Sequence, residues 1–253
     1  KGFFYQMNQL EVMAHRVDQA FEFSEDAKAL IQDTDVVQIQ DYDWIWLRLP
    51  RPIPEGFFHY LCQHFEDERI INRPSGIEET SSKAFLLQIP EVCPPTQLIR
   101  SVEDLEAFRQ RFPIVLKPLL NYGGKGVLRI QDDEVWEGQQ RQAYSEWLAQ
   151  QDQLEYLGMQ FLKNVGQGDK RIVVCDGQVL TAVLRYPAKG SWMCNIAQGG
   201  HAEKSVLSPE EQEIIDQIHP ILSAKGIVMY GMDTLMGNDG KRLLSEVNTL
   251  SIG

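Results

Sequence analysis

Asp239-Gly240 lies between two strand-like stretches, Ile227 to Met236 and Lys241 to Leu250. An Asp-Gly pair is the favoured two-residue hairpin turn. Counting back from it sets Asn238 opposite Lys241, Asp233 opposite Glu246, and Gly231 opposite Asn248. Opposed residues share a face, with Cβ atoms about 5 Å apart, and residues two apart on one strand share it as well. Two carboxylates and an amide thus converge on one spot. Like charges directly opposite each other destabilise a sheet, and a divalent cation removes that cost. An oxygen-only donor set of Asp233, Glu246 and Asn248 favours Mg²⁺, or Mn²⁺, over zinc. The competing reading is a solvated sheet face whose carboxylates are tolerated by water, and a slip of one residue would break the set.

Cations and glycines supply a second group. Lys117 closes the apolar run Val115-Leu116-Lys117-Pro118, just ahead of the loop Asn121-Tyr122-Gly123-Gly124-Lys125-Gly126. Backbone N–H groups of such loops can approach phosphate oxygens, and a lysine adds a point charge. The G-x-x-x-x-G-K-[ST] spacing of a Walker A loop is absent. Gly168-Asp169-Lys170-Arg171 leads into the strand Ile172 to Cys175, and Arg185 ends the next one. An arginine at such a junction could stabilise phosphoryl charge as it develops. Taken singly, each of these cations also reads as a solvated charge at a strand end.

Three regions must position these residues. Residues 1–80 alternate strand-like and helix-like stretches, with Asp43 to Arg48 as a strand and Glu55 to Glu68 as a helix carrying Phe57, Phe58, Leu61, Cys62 and Phe65 at helical spacing. Residues 81–163 form a small α+β lid. In it, Ser101 and Asp104 make a capping box, Pro113 ends the helix, and the strands Ile114 to Lys117 and Val127 to Ile130 flank the glycine loop. Residues 164–253 start with strands near 171–175 and 178–184. A helix capped by Ser208, Pro209 and Glu211 follows, buries Ile214, Ile215, Ile218, Ile221 and Leu222, is kinked at Pro220, and ends near Lys225-Gly226. The fold class is α/β (α+β).

The chain has 253 residues and a net charge of -12. An acidic surface argues against nucleic-acid binding and leaves room for a small phosphorylated ligand where cations cluster. No apolar run is long enough for a membrane helix, and no signal peptide pattern precedes the fold, although the chain begins at Lys1 rather than Met. The four cysteines, Cys62, Cys93, Cys175 and Cys194, form no C-x-x-C pair and read as thiols in a reducing compartment, so a cytoplasmic location is expected.

In order, Ile71-Asn72-Arg73-Pro74, Ser82-Lys83, Leu116-Lys117-Pro118 with the glycine loop, Gly168-Asp169-Lys170-Arg171, Asn195-Ile196-Ala197-Gln198-Gly199-Gly200, Gly231-Met232-Asp233 and Glu246-Val247-Asn248 resemble the prokaryotic glutathione synthetases of the ATP-grasp superfamily. The resemblance implies an ATP-grasp fold behind an N-terminal α/β domain, and an ATP-dependent ligase that joins a carboxylate to an amine through an acyl phosphate. In that family the acid is γ-glutamylcysteine and the amine is glycine. It further implies that Lys83 and Lys117 contact ATP phosphates while Gly123, Gly124 and Gly126 fold over the transferred group. Met159, Gln160, Phe161 and Leu162 line the adenine pocket, and Asp169 lies near the nucleotide. Asp233, Glu246 and Asn248 hold Mg²⁺. Arg171 and Arg185 hold the acceptor carboxylate and the acyl phosphate, with Lys117 assisting. Arg48, Arg185, Asn195, Gly199 and Gly200 belong to the substrate pocket, and the family hints at a homo-oligomer.

Three positions depart from the pattern. Arg48-Leu49-Pro50-Arg51-Pro52 lacks the usual aspartate, Met193 replaces an arginine, and Thr249-Leu250-Ser251-Ile252-Gly253 replaces the usual segment after the metal asparagine. The family's opening strand and helix are also missing before Lys1, so a truncated version of a longer protein is expected. The alternatives are an ATP-grasp ligase for another acid and a catalytically silent ATP-binding protein.

Overall fold

The computed structural model of the chain describes residues 3–6, 9–17, 34–49, 52–188, 191–193, 200–250 and 252. An antiparallel sheet comes first: β1 (Phe3–Gln6), β2 (Gln9–Ala14) and β3 (Asp35–Gln38). Strand β4 (Ile45–Trp46) precedes helix α1 (Phe57–His64) and pairs in parallel with β5 (Ile70–Ile71). The strand expected over Asp43 to Arg48 therefore shrinks to two residues. Its partner β5 is no longer than that, and extended backbone persists only where a ladder satisfies it. Helix α2 (Pro74–Thr80) starts with proline in its first turn, where a missing N–H costs nothing.

The middle of the chain builds β6 (Thr96–Ile99), α3 (Val102–Arg109), β7 (Ile114–Pro118), β8 (Leu128–Gln131), β9 (Glu134–Glu137), β10 (Gln140–Ala143), α4 (Tyr144–Ala149) and β11 (Tyr156–Gln160). Its strands form one six-stranded antiparallel sheet in the order β10-β9-β8-β7-β11-β6. The capping box at Ser101 and Asp104 is present, with both hydrogen bonds at 3.1 Å. Helix α3 stops at Arg109 rather than at Pro113, because the chain tightens early: Arg111 N–H bonds to the Phe108 carbonyl, three residues back. Proline then disfavours helical backbone at Phe112.

The last part contains β12 (Asp169–Cys175), β13 (Gln178–Tyr186), β14 (His201–Lys204), α5 (Pro209–Ala224), β15 (Met229–Met236) and β16 (Arg242–Asn248). These strands make an antiparallel sheet in the order β14-β13-β12-β15-β16. Ser208 and Glu211 cap α5 as expected. The helix runs on through Pro220, held by its buried Ile214, Ile215, Ile218 and Leu222.

At the end of α5, Gly226 N–H bonds to the Ser223 carbonyl at 2.9 Å and Ile227 N–H to that of Leu222 at 3.0 Å. This closure needs a left-handed residue, and Gly226 has φ +70°. A Cβ there would lie 2.0 Å from Arg73 Cδ. Gly226→Ala should therefore cost about 1–2 kcal/mol, the left-handed strain plus displacement of Arg73. Urea unfolding of the variant checks this, and an unchanged midpoint would contradict it.

Two cores result. The larger joins the N-terminal region (Ile39, Leu61, Ile70, Ile77) to the five-stranded sheet and α5 (Ile172, Ile215, Tyr230, Leu244). The smaller holds α3 and α4 (Leu105, Phe108, Trp147) on the six-stranded sheet (Ile114, Leu116, Ile130). Leu157 and Met159 of β11 reach into the larger core and tie the six-stranded sheet to it, and a cleft of about 270 Å³ is lined from both sheets. Among the described residues, no helix is long and apolar enough to cross a membrane.

Candidate active site

Strands β15 and β16 set Gly231 opposite Asn248 and Asp233 opposite Glu246, the pairing expected from sequence. The route to it differs. The turn is a three-residue loop, Asn238-Asp239-Gly240: Gly237 N–H bonds to the Lys241 carbonyl at 2.7 Å, and Gly240 takes φ +85°. That shifts the register by one, so Met236 faces Arg242 and Thr234 faces Leu244. A bulge between Asp233 and Thr234 then inserts Ser245 as an unpaired residue and restores the counting. The Ser245 hydroxyl donates to the Asp233 carbonyl at 3.1 Å, and Lys117 Nζ donates to the Ser245 carbonyl at 2.8 Å. The bulge therefore turns a backbone oxygen toward the lysine at the end of β7.

The charged residues form one array across the sheet. Arg171 lies opposite Asp233, and Asp169 opposite Arg185. Arg171 grips Asp233 with two donors, Nη2 reaching Oδ2 at 2.8 Å. Arg185 binds Asp169, Nε at 2.9 Å, and also approaches Asp233 Oδ1 at 2.9 Å. Burial works against ionisation of Asp233, yet Arg171 and Arg185 outweigh it and hold this carboxyl below its usual range. At Asp169, burial and the charge of Asp233 win over Arg185 and push the carboxyl up to about 7.

Behind the sheet, Glu211, fully buried, joins Lys170 Nζ at 2.6 Å and the Thr234 hydroxyl at 2.7 Å while still capping α5. Lys170 and Thr234 flank Asp169, Arg171 and Asp233 in sequence, so this network fixes β12 against β15 where the site charges lie. Asn72 pins the other end. Its side chain donates to the Thr249 carbonyl at 2.6 Å and accepts from Val228 and Met229 N–H, which holds the segment after Asn248.

Among the described residues, no cluster of three or more His, Cys, Asp or Glu side chains could hold a metal. The set here is two carboxylates with an amide, the donor chemistry of a hard cation, with both Asp233 oxygens engaged by Arg171 and Arg185 in this structure. Asn248 is buried with its amide nitrogen lacking a hydrogen-bond partner among the described residues. Amide nitrogen and oxygen exchange by a simple flip, which would put an acceptor at that spot.

Twelve of the site residues expected from sequence line the cleft: Lys117, Gly123 and Gly124 from β7 and the loop after it, Met159 to Leu162 from the end of β11 and the residues that follow, and Asp169, Arg171, Arg185, Asp233 and Glu246 from the five-stranded sheet. Gly126 lies in the glycine loop, where a Cβ would meet Pro118 Cγ at 3.2 Å. Lys83 is buried, donates to the Asn121 carbonyl and sits 4.9 Å from the Tyr122 ring, so it braces the loop from beneath. Asn248 closes the hairpin beside Gly231. Arg48 is exposed over the Trp46 ring and does not line the cleft, nor does Gly200. Asn195 and Gly199 lie outside the described residues.

At the hinge, the N–H groups of Gln160 and Phe161 are taken by the Pro95 and Pro113 carbonyls at 2.9 and 2.8 Å. The cleft also exposes Val115, Val127, Val165, Trp192, Leu235 and Ser245, which sequence reasoning did not single out, and Met193, noted only as a departure. Strand alternation could have found Val115 and Leu235, two residues from Lys117 and Asp233 on the same faces.

Known structures share this architecture. D-cycloserine synthetase DcsG superposes with a TM-score of 0.57 at 16% identity, covering 78% of this chain and 71% of that one. N5-carboxyaminoimidazole synthetase from Staphylococcus aureus, complexed with ADP, gives 0.57 at 11%, covering 76% and 50%. Two sheets clasping a cation-lined cleft in this way define an ATP-grasp fold. Residues 82–253 match the prokaryotic glutathione synthetase, ATP-grasp domain. Glutathione synthetase from Parasynechococcus marenigrum (strain WH8102) is 35% identical over 215 residues, 83% of this chain and 67% of that protein. That from Prochlorococcus marinus (strain MIT 9313) is 32% identical over 218 residues, 84% and 68%. The chain belongs to the prokaryotic glutathione synthetase family. It is an ATP-dependent carboxylate–amine ligase of the glutathione-synthetase type, acting on small molecules with ATP and a divalent metal.

Proposed function

We propose that the protein condenses γ-glutamylcysteine with glycine to give glutathione, at the expense of ATP, through an acyl phosphate. The observation that carries this reading is the array of Asp233, Glu246, Arg171 and Arg185 facing Lys117 and the glycine loop across one cleft. Asp233, Glu246 and Asn248 are the residues to hold Mg²⁺, which when bound supplies charge neutralisation on the ATP phosphates. Lys117, and Lys83 through the loop it braces, hold the phosphate chain. Gly123, Gly124 and Gly126 allow the loop backbone to come close to it. The base lies between the apolar walls Val115, Met159, Leu162 and Leu235.

Arg171 and Arg185 orient the substrate carboxylate toward the γ-phosphoryl group and stabilise the charge that develops on the transferred oxygens. A closed lid keeps water off the acyl phosphate until the amine attacks. In their present pairing both arginines are engaged by Asp169 and Asp233, which keeps their guanidinium planes fixed and saves reorganisation when an anionic substrate arrives.

One observation favours a second reading. Met193 lines the cleft at a position where the family resemblance expects an arginine. An apolar side chain there would suit an acid with less charge than γ-glutamylcysteine, so the chemistry is kept and the acid changes. Trapping with hydroxylamine separates the two. Incubation with ATP, Mg²⁺ and an acid panel should give a hydroxamate from γ-glutamylcysteine. A hydroxamate from another acid alone would support the second reading, and none from any acid would refute the acyl phosphate.

A further inference from the structure

We propose that Trp192 is a positioning residue for the nucleotide: it fastens the segment after β13 to the lid across the base end of the cleft, and thereby sets nucleotide affinity. The inference rests on the reading of this cleft as the ATP site.

Trp192 belongs to neither sheet, yet its indole N–H donates to the Gly138 carbonyl at 2.9 Å. Gly138 sits in the turn between β9 and β10, in the outer half of the six-stranded sheet, with φ +59°. The indole meets Phe161 edge-to-face, 6.3 Å between centroids and 74° between planes. The Arg129 guanidinium of β8 lies 4.0 Å from the centre of the Phe161 ring. One contiguous set, Arg129–Phe161–Trp192–Gly138, therefore links β8, the hinge, the segment after β13 and the lid hairpin.

This set lies between two cavities rather than against a core. The nucleotide cleft and a shallower cavity, lined also by Arg129, Lys163 and Ser191, share Phe161, Val165 and Trp192. Those three side chains form a partition one residue thick. Among the described residues, two contacts hold the aromatic pair of this partition: the indole bond to Gly138 on one side and Arg129 over Phe161 on the other. Arg129 is half-buried with its Nε lacking a partner among the described residues. Its Nη2 donates to Gln131 Oε1, and the aromatic face it covers completes its placement. An aromatic base entering the cleft meets Phe161 and Trp192 as a wall whose position these fixings set, and ring contacts of this kind depend on that position.

Calorimetric titration of Mg²⁺-ADP into wild type, Trp192→Phe and Trp192→Ala tests the idea, with steady-state KM values for ATP and the acid and with thermal midpoints. Trp192→Phe keeps an aromatic ring but loses the N–H and the fused five-membered ring, so it should weaken ADP binding at least about two- to tenfold, the worth of one hydrogen bond. Trp192→Ala should weaken it further and raise the KM for ATP in parallel. The KM for the acid should stay within about twofold. Wild-type ADP affinity in both variants would overturn the proposal. So would a weakening matched by the acid KM and a falling thermal midpoint, which would mean general disruption. Wild-type protein that binds no ADP would remove the nucleotide reading as well, which separates the two failures.

Discussion

Glu246→Gln is expected to lower kcat by about 10²- to 10³-fold, the scale seen when one charge-stabilising group leaves an active site. The fold should survive. Glu246 is half-buried, forms no ion pair among the described residues, and keeps its size and shape as glutamine. Its charge acts on Arg171 at longer range and otherwise faces Asp233 across the hairpin. Such an arrangement is unfavourable on its own, since like charges oppose each other. The variant should therefore unfold at the same or a slightly higher urea concentration while losing turnover. Full activity in Glu246→Gln would remove the metal assignment.

Arg185→Ala carries the second large effect, and here stability and activity fall together. Arg185 bonds to Asp169 and Asp233 at once and is largely buried. Without it, Asp233 keeps its two bonds from Arg171 but Asp169 loses its partner in a desolvated place beside that charge, where breaking a buried pair costs about 3–5 kcal/mol. Mg²⁺ should recover part of that stability by taking over the charge. Turnover should stay low, because no cation replaces the planar fork that holds a carboxylate. Arg185→Lys separates the contributions: it keeps the charge and most of the stability but lacks the paired donors. Urea unfolding with and without Mg²⁺ and steady-state kinetics on both variants read this out. An Arg185→Ala protein as stable as wild type would contradict the pairing.

The hairpin shows how sequence reasoning can reach a correct strand pairing by an incorrect path. Asp239-Gly240 reads as a two-residue turn, while the chain makes a three-residue loop one position out of step. Ser245 then bulges and cancels the slip. Nothing in the local sequence announces that bulge, because its cause is tertiary: Ser245 offers its hydroxyl to the Asp233 carbonyl and its own carbonyl to Lys117, 128 residues away. The capping boxes at Ser101 and Ser208 were legible because their hydrogen bonds close within four residues. Glu211 was read only as half of such a box, yet it also carries the buried pair with Lys170. A surface role and a buried one look alike when only the cap is local. Trp192 meets Gly138 and Phe161, 54 and 31 residues away in sequence, so its place could not be read from nearby residues.

An ADP-release assay with Mg²⁺, ATP, γ-glutamylcysteine and glycine, each omitted in turn, tests the central claim most directly. The account predicts turnover that requires all four, with glutathione formed mole for mole with ADP. ADP release that ignores glycine and γ-glutamylcysteine, or none at all from a protein that binds ATP, would contradict it.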